Sequence, residues 1–430
     1  ATAGAEKVAP LIIQGHMDMV CEKVPVSRHD FANDPIRLIW EEDWVRAYGT
    51  SLGADNGIAL ALAMTLVDER VAPRPPLELL FTVEEEIGLV GADKLSPDFL
   101  KGRRLLNLDS EDEGIFTVGC AGGLDTRIAL DLAPGPAPSM ASFCTLAVSG
   151  LLGGHSGVDI HRGRASAHKI LARTLDALCG IADIGLVHYQ GGTVKNAICR
   201  DAQATFVYPP DKAPALAAAV AALKADLKVE HLASDSGLAL AADFSAAAPT
   251  AATTISSADT QHIVSLLMAL PHGVAAMVAE DPGLVETSCN LARVDLEQGR
   301  LRIVMSQRSL LPSRLTAITA QIHAAARLAG ATTSDEGGYP PWLPDPDSIL
   351  TQQCAKVYQM LFGEEPKTAT MHAGLECAVI GGKFAGMDMI SFGPDIEAPH
   401  SPQERMRLAS VARTWQFLIA LLATLADAPQ

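Results

Sequence analysis

Leu77-Glu78-Leu79-Leu80-Phe81-Thr82-Val83 runs without a break into Glu84-Glu85-Glu86-Ile87-Gly88. The apolar half reads as a strand. Three adjacent carboxylates at its end repel one another unless solvent or cations offset the charge. Gly88 permits a sharp turn just beyond them. Adjacent carboxylates also point in different directions, so one can ligate a metal while its neighbour accepts a proton from bound water. A solvated acidic loop is the plain alternative.

Outward from this segment, the first 120 residues alternate strands and helices. Leu11–Gln14 is an apolar run ending in Gly15-His16, Ile58–Val67 is a helix, and Arg104–Leu108 and Ile115–Val118 are further strands. Such alternation predicts an α/β sheet with both faces covered and its site at the strand ends. Near residue 125 the pattern changes. Cys144–Gly150 and Ala204–Tyr208 read as strands, and Ala165–Leu178, Ala213–Leu227 and Leu315–Ala326 as helices. Arg293–Leu296 and Leu301–Met305 flank a hairpin turn, and Ala233–Thr254 is expected to form a helix and surface loops. Pro340, Pro341, Pro344 and Pro346 then mark a boundary. Beyond it come a helix over Ser348–Leu361, a strand near Met389–Phe392 and a C-terminal helix from Gln403. This tail is too small to stand alone, so it is expected to complete the first sheet. The fold class is therefore α/β: a discontinuous mixed-sheet domain, residues 1–124 plus 338–430, with an α+β domain inserted over residues 125–337.

The chain has 430 residues, 48% of them hydrophobic and 19% charged, enough for a sizeable core. Its net charge of −17 disfavours a nucleic-acid or anionic-lipid partner, and an aromatic content of 5% disfavours a base-stacking platform. Eight cysteines without a CxxC exclude a zinc ribbon and a disulfide framework, so a reducing cytoplasm is expected. No apolar run reaches 18 residues, and no membrane span is expected. Ala1–Pro10 lacks the plan of a signal peptide and an initiator Met, so the sequence is expected to begin inside a longer chain.

Four more segments carry chemistry. His16-Met17-Asp18 closes the first strand, and side chains at i and i+2 share a face. This suits a metal-ligating imidazole with a carboxylate on its other nitrogen, or a satisfied histidine at a strand end. Asp55, between Gly53 and Gly57, can cap the following helix or bridge two cations. Asp109, in Asn107-Leu108-Asp109-Ser110-Glu111, repeats the acidic theme at the next strand end, and Pro399-His400-Ser401 places a histidine ahead of the last helix. Two imidazoles and three carboxylates form a ligand set for paired cations about 3.5–4 Å apart.

Together these segments resemble the aminoacyl-histidine (Xaa-His) dipeptidases, within the superfamily of di-zinc amino- and carboxypeptidases and acylases. The resemblance rests on QGHMDMV, GTSLGADNGIALA, EEEIG, LNLDSEDEG, GCAGG, GGHSGVDIHRGRA, MHAGLEC and FGPDIEAPHSPQE, and runs from about residue 11 to the end. Relatives carry an additional N-terminal helix and strand.

The resemblance implies that His16 and Asp109 hold one metal, Glu86 and His400 the other, and that Asp55 bridges them. Asp18 would support His16, Glu85 would be the general base, and the Asp55–Asn56 bond would be cis. The inserted domain would be a lid that can serve as a homodimer surface. There His155 would stabilise the oxyanion, Asn196 would contact substrate near the scissile carbonyl, and Arg308 would pair with the substrate carboxylate. Glu376 would meet the free amino group. The implied cofactors are two divalent cations, zinc first, with manganese or cobalt fitting the same ligands. The implied activity is hydrolysis of Xaa-His dipeptides, carnosine-like ones included, by attack of a di-metal-bound water. A broader dipeptidase or an N-acyl amino-acid deacylase is the alternative, and a small peptide is the expected partner.

Overall fold

The computed structural model describes residues 5–69, 73–246 and 253–426. The chain divides into two compact units, one of Ala1–Cys120 with Trp342–Gln430 and one of Ala121–Pro341. Residues 1–4, where the expectation about the start of the chain partly falls, lie outside the described residues.

The first unit is built on a six-stranded sheet. Its order is Lys367–Met371, Ile115–Cys120, Asp388–Ser391, Arg104–Asn107, Leu11–His16, Leu77–Thr82. Leu11–His16 lies parallel between two neighbours, with His16 opposite Thr82 and Gln14 opposite Asn107. Asp388–Ser391 runs parallel on the far side of Arg104–Asn107. Strands buried on both faces read as continuous apolar runs, and Leu11, Ile12 and Ile13 are fully buried. Because the four strands are parallel, their carboxyl ends lie along one edge. His16, the Glu84–Glu86 turn and Asp109 all arrive there.

Helices Ala54–Asp68, Ile349–Phe362 and Leu408–Ala426 send Leu62, Leu66, Leu350, Phe417 and Leu421 into one core with Leu11, Ile13 and Phe116. Phe417 stacks on Phe116 with ring centroids 5.3 Å apart. By length and composition Leu408–Ala426 could also cross a membrane. Arg413 and Gln416 interrupt its apolar run, so no unbroken stretch shows in the sequence. Its Phe417, Leu418, Leu421 and Leu422 are all buried in this core, as in the core helix of a globular domain.

The C-terminal helix starts at Leu408, not at Gln403 as expected. Arg405–Arg407 instead forms a strand against Trp44–Ala47 and Ile396–Glu397. Arg405 lies over the Trp44 ring at 4.2 Å and pairs with Glu397, contacts that a helical start would forgo. Since Glu397 pairs with Arg405, residues 398–404 form a hairpin loop, and His400 sits on it.

The second unit is a nine-stranded sheet whose pairings are all antiparallel, with helices Ala167–Cys179, Ala213–Glu230, Ser257–Ala269 and Pro312–Leu328 around one core. The helix expected within 233–254 is corrected: Ala239–Ala246 is a strand along Ser142–Ser149. Its alanines carry little periodicity, and a free sheet edge overrides weak propensity. Residues 247–252 lie outside the described residues.

Candidate metal centre

His16 ends its strand with its ring fully inside the protein. Its Nδ1 lies 2.9 Å from the carbonyl oxygen of Asp18. A carbonyl can only accept, so Nδ1 carries the proton and donates it. Nε2 therefore faces Asp55 Oδ1 at 3.1 Å and Asp109 Oδ1 at 3.5 Å. His400 repeats the arrangement, with Nε2 2.9 Å from Asp55 Oδ2 and 3.1 Å from Glu86 Oε2. The structure thus brings together the five residues His16, Asp55, Glu86, Asp109 and His400. They form two histidine–carboxylate groups that share Asp55, one oxygen to each.

These spacings suit cations. Ligands at 2.0–2.1 Å in a tetrahedral shell lie about 3.3 Å from one another. Donor atoms of His16, Asp55 and Glu86 all fall within 4.8 Å of one another. An imidazole lone pair aimed at a carboxylate oxygen is repulsive unless a proton or a cation lies between them. Glu86 Oε1 is buried and has no hydrogen-bond partner among the described residues. The residues present therefore fit a pair of divalent cations.

Without cations, protons take up the imbalance. Burial opposes a charge on His16, but the hydrogen bonds and charges of Asp109 and Asp55 raise its pKa to about 12. His400 is raised to about 11, where the hydrogen bonds to Asp55 and Glu86 outweigh burial. Burial raises Asp109 to about 7 and Glu111 to about 8, the charge of Asp55 adding to both. Burial, followed by the Asp109 charge, pushes Glu85 well above the ordinary carboxylate range.

The local backbone serves these positions. Glu84, Ala398 and His400 have φ values of 57°, 50° and 58°, sparsely populated by residues with a Cβ. The Asp55–Asn56 bond is cis. Asp55 is not the helix cap that a lone carboxylate in such a turn suggests: Gly53 takes the N-cap position, with φ 71°. A Cβ on Gly15 would lie 2.4 Å from Asn56 Oδ1 and 2.5 Å from Ala59 Cβ, so the His16 strand and this helix pack closer than any other residue allows.

Asp18 pairs its carboxylate with His16 Nδ1 at 3.6 Å and has a second set of partners as well. Its carboxylate accepts the backbone N–H groups of Glu85 and Glu86, each at 3.1 Å. Its nearest oxygen is 3.6 Å from His16 Nδ1, farther than its own carbonyl. Asp18 thus grips the acidic turn with its side chain and flanks His16 Nδ1 with both its carbonyl and its carboxylate.

Several residues at the site carried no signal of their own in the sequence. Asn56 is buried, accepts from His16 N–H at 3.2 Å and donates to Leu108 O at 2.7 Å, joining three ligand-bearing segments. Gln14, two residues before His16 on the same strand, receives Asn107 Nδ2 at 2.6 Å and donates to Glu376 Oε2 at 2.5 Å. Thr82 donates to the same Glu376 oxygen at 2.6 Å. Glu376 is fully buried beneath the centre.

In the second unit, His155 Nδ1 accepts from the N–H groups of Gly157 at 3.3 Å and Val158 at 3.1 Å. That leaves the ring proton on Nε2, a donor. Ser156 N–H donates to Asn196 O at 2.7 Å and His155 bridges Ala197, so the His155 and Asn196 loops are neighbours. Asn290 ties this pair to the sheet by donating to Lys195 O and Ala197 O. Arg308 lies on the strand facing Asn290's, opposite Ser288, and donates to Tyr339 Oη at 2.8 Å.

Residues 12–424 match the family described as Peptidase family M20/M25/M40. The chain belongs to the M20 peptidase family. This M20 peptidase is 39% identical over 422 residues to the cytosol non-specific dipeptidase of Escherichia coli strain K12, covering 98% of the chain and 86% of that protein. Among solved structures, the aminoacylhistidine dipeptidase of Vibrio alginolyticus aligns at a TM-score of 0.82 with 36% identity, over 99% of this chain and 86% of that one. The aminopeptidase PepT of Bacillus cereus aligns at 0.51 and 16% identity over 98% and 82%, a likeness of fold alone. This M20 peptidase is a hydrolase of peptide bonds, and these Escherichia coli and Vibrio alginolyticus relatives, each sharing more than a third of its sequence, are both named dipeptidases.

Proposed function

We propose that this M20 peptidase is a metal-dependent dipeptidase that cleaves Xaa-His dipeptides, β-alanyl ones included. The observation that carries the reading is the pair of histidine–carboxylate groups sharing Asp55, with Glu85 on the adjoining turn. His16 and Asp109 would hold one divalent cation and Glu86 and His400 the other, with Asp55 shared between them; zinc would suit the set, as would manganese and cobalt. Two such cations supply Lewis acidity and lower the pKa of a water toward neutrality.

Glu85 takes the proton of the attacking water and passes it to the leaving amine. His155, with its proton on Nε2, donates to the oxyanion. Asn196 contacts the substrate beside the scissile carbonyl, and the Arg308 guanidinium pairs with the substrate carboxylate. Glu376 Oε1 meets no donor among the described residues, and the substrate's ammonium is the donor we assign to it. Because Glu376 has no exposed surface, taking up that ammonium requires the side chains above it to shift.

A broader dipeptidase is the second reading, favoured by the name of the Escherichia coli relative. A buried carboxylate suits a free amine better than an acylated one, which weighs against a deacylase. We also place the enzyme in the cytoplasm, in keeping with that relative's name and with eight free thiols. The test is hydrolysis of β-Ala-His, Gly-His, Gly-Leu and an N-acetyl amino acid after chelation, then with zinc or manganese restored. Restored cleavage of both His dipeptides above the others supports the proposal. Preference for Gly-Leu moves it to the broader dipeptidase, and preference for the acetylated compound to a deacylase. Glu85→Ala should abolish turnover with metal content intact.

A further inference from the structure

Glu404 lies on the same hairpin loop as His400, four residues further on, and is 2% exposed. Its carboxylate accepts hydrogen bonds from four consecutive backbone N–H groups. Oε2 takes Leu52 at 2.8 Å and Gly53 at 3.1 Å. Oε1 takes Ala54 at 2.8 Å and Asp55 at 3.4 Å. Helix Ala54–Asp68 has no side-chain cap of its own, so its first N–H groups would otherwise be orphaned inside the protein. Glu404 supplies the missing acceptors from more than three hundred residues away, and an anion suits a helix N-terminus.

The contacts close a ring. Asp55 is held through its backbone by Glu404 and reaches with its side chain to His400, which shares the 398–404 loop with Glu404. The other Asp55 oxygen reaches His16. Moving Glu404 therefore moves Asp55 relative to both imidazoles. Asp55 and Asn56 have non-helical backbone angles, and Ala398 and His400 have positive φ, so neither segment keeps its conformation by local preference alone.

We propose that Glu404 is a positioning residue: its buried carboxylate fixes Asp55 against His400 and so sets the spacing of the two cation sites. The inference rests on the metal centre proposed above. A carboxylate in this role must accept at both oxygens. Glu404→Gln keeps the shape but turns an NH2 group toward two N–H donors, whereas Glu404→Asp keeps the charge.

The experiment uses the full chain stripped of metal. Zinc binding is followed by calorimetry, the visible spectrum with cobalt reports ligand geometry, and amide exchange is read at Leu52–Asp55. Glu404→Gln should lose amide protection at those positions with or without metal. Outer-shell support of this kind is worth about 10–100-fold in metal affinity, so both cations should bind that much more weakly, with an altered cobalt spectrum. Glu404→Asp should recover part of the affinity, which a purely structural defect would not follow. If Glu404→Gln unfolds the first unit, the same comparison is made with Glu404→Asp, which should show a smaller loss of the same kind. Unchanged protection at Leu52–Asp55, or zinc affinities within threefold of wild type in a folded variant, would overturn the proposal. Failure of the wild-type chain itself to take up cations would sink the metal reading, and this one with it; the variant then need not be examined to tell the two failures apart.

Discussion

Asp18 separates two accounts of how the acidic turn is held. Its carboxylate accepts two backbone N–H groups, of Glu85 and Glu86, each at 3.1 Å, while His16 Nδ1 donates to the Asp18 carbonyl, which no side-chain change removes. A charge-assisted hydrogen bond is worth about 1.5–3 kcal/mol, and the lower end applies because Asp18 is partly open to solvent. Losing both in Asp18→Ala amounts to about 3 kcal/mol. If that energy holds Glu85 in its reactive position, kcat falls by about 100-fold, since each 1.36 kcal/mol is tenfold. Asp18→Asn can still accept one N–H but opposes the other with its own, so a loss of about tenfold is expected. Zinc affinity at the His16 side should change by less than about threefold. Steady-state kinetics in saturating zinc, with metal content measured on the same samples, give both quantities. An Asp18→Ala protein that loses one zinc equivalent yet turns over normally once reloaded would show that the carboxylate acts through His16 and not through the turn.

Two further outcomes concern stability. His168, fully buried in the second unit, has its pKa lowered to about 3 by burial. It therefore folds neutral, and the unfolded chain takes the proton below pH 6.5, so stability is intact above that value and is lost as pH falls toward the folded pKa. At pH 5 this costs about 2 kcal/mol per imidazole, and His272, lowered to about 4 by burial and then the Lys169 charge, adds a similar amount. Denaturant melts at pH 5 and 7.5 should show it, and His168→Asn should remove about half. In the first unit, Phe417→Ala empties the site packed against Phe116, Phe392 and Tyr358 and should cost about 3–5 kcal/mol in a urea melt, with the activity of the folded fraction retained.

The parallel core of the first unit was legible because buried strands are spelled as apolar runs, and the acidic and histidine residues that follow them mark the carboxyl edge. The residues proposed to hold metal stood out one by one, yet their convergence did not, since it depends on a sheet order in which Leu11–His16 lies between two later strands. Glu404 appeared in the sequence only as the end of a quoted string; nothing local indicates that its acceptors' partners lie at Leu52–Asp55. The i, i+2 rule places the Asp18 carboxylate on the His16 face, where it does lie 3.6 Å from Nδ1, but no local rule indicates that it also accepts the Glu85 and Glu86 N–H groups. Arg405–Arg407 and Ala239–Ala246 escaped for the same reason: both strands are made by pairing partners far away in the chain, with weak propensity of their own.

In the proposed centre one aspartate, Asp55, serves two cation sites, reaching His16 with one oxygen and His400 with the other. The most direct measurement is zinc binding by the chelator-stripped chain, by calorimetry and elemental analysis, with Asp55→Ala beside wild type. Two equivalents for wild type, and weakening of both in Asp55→Ala by well over tenfold with the fold retained, is the predicted result. A wild-type chain that takes up one equivalent or none, or an Asp55→Ala chain that still binds two with unchanged affinity, would contradict it.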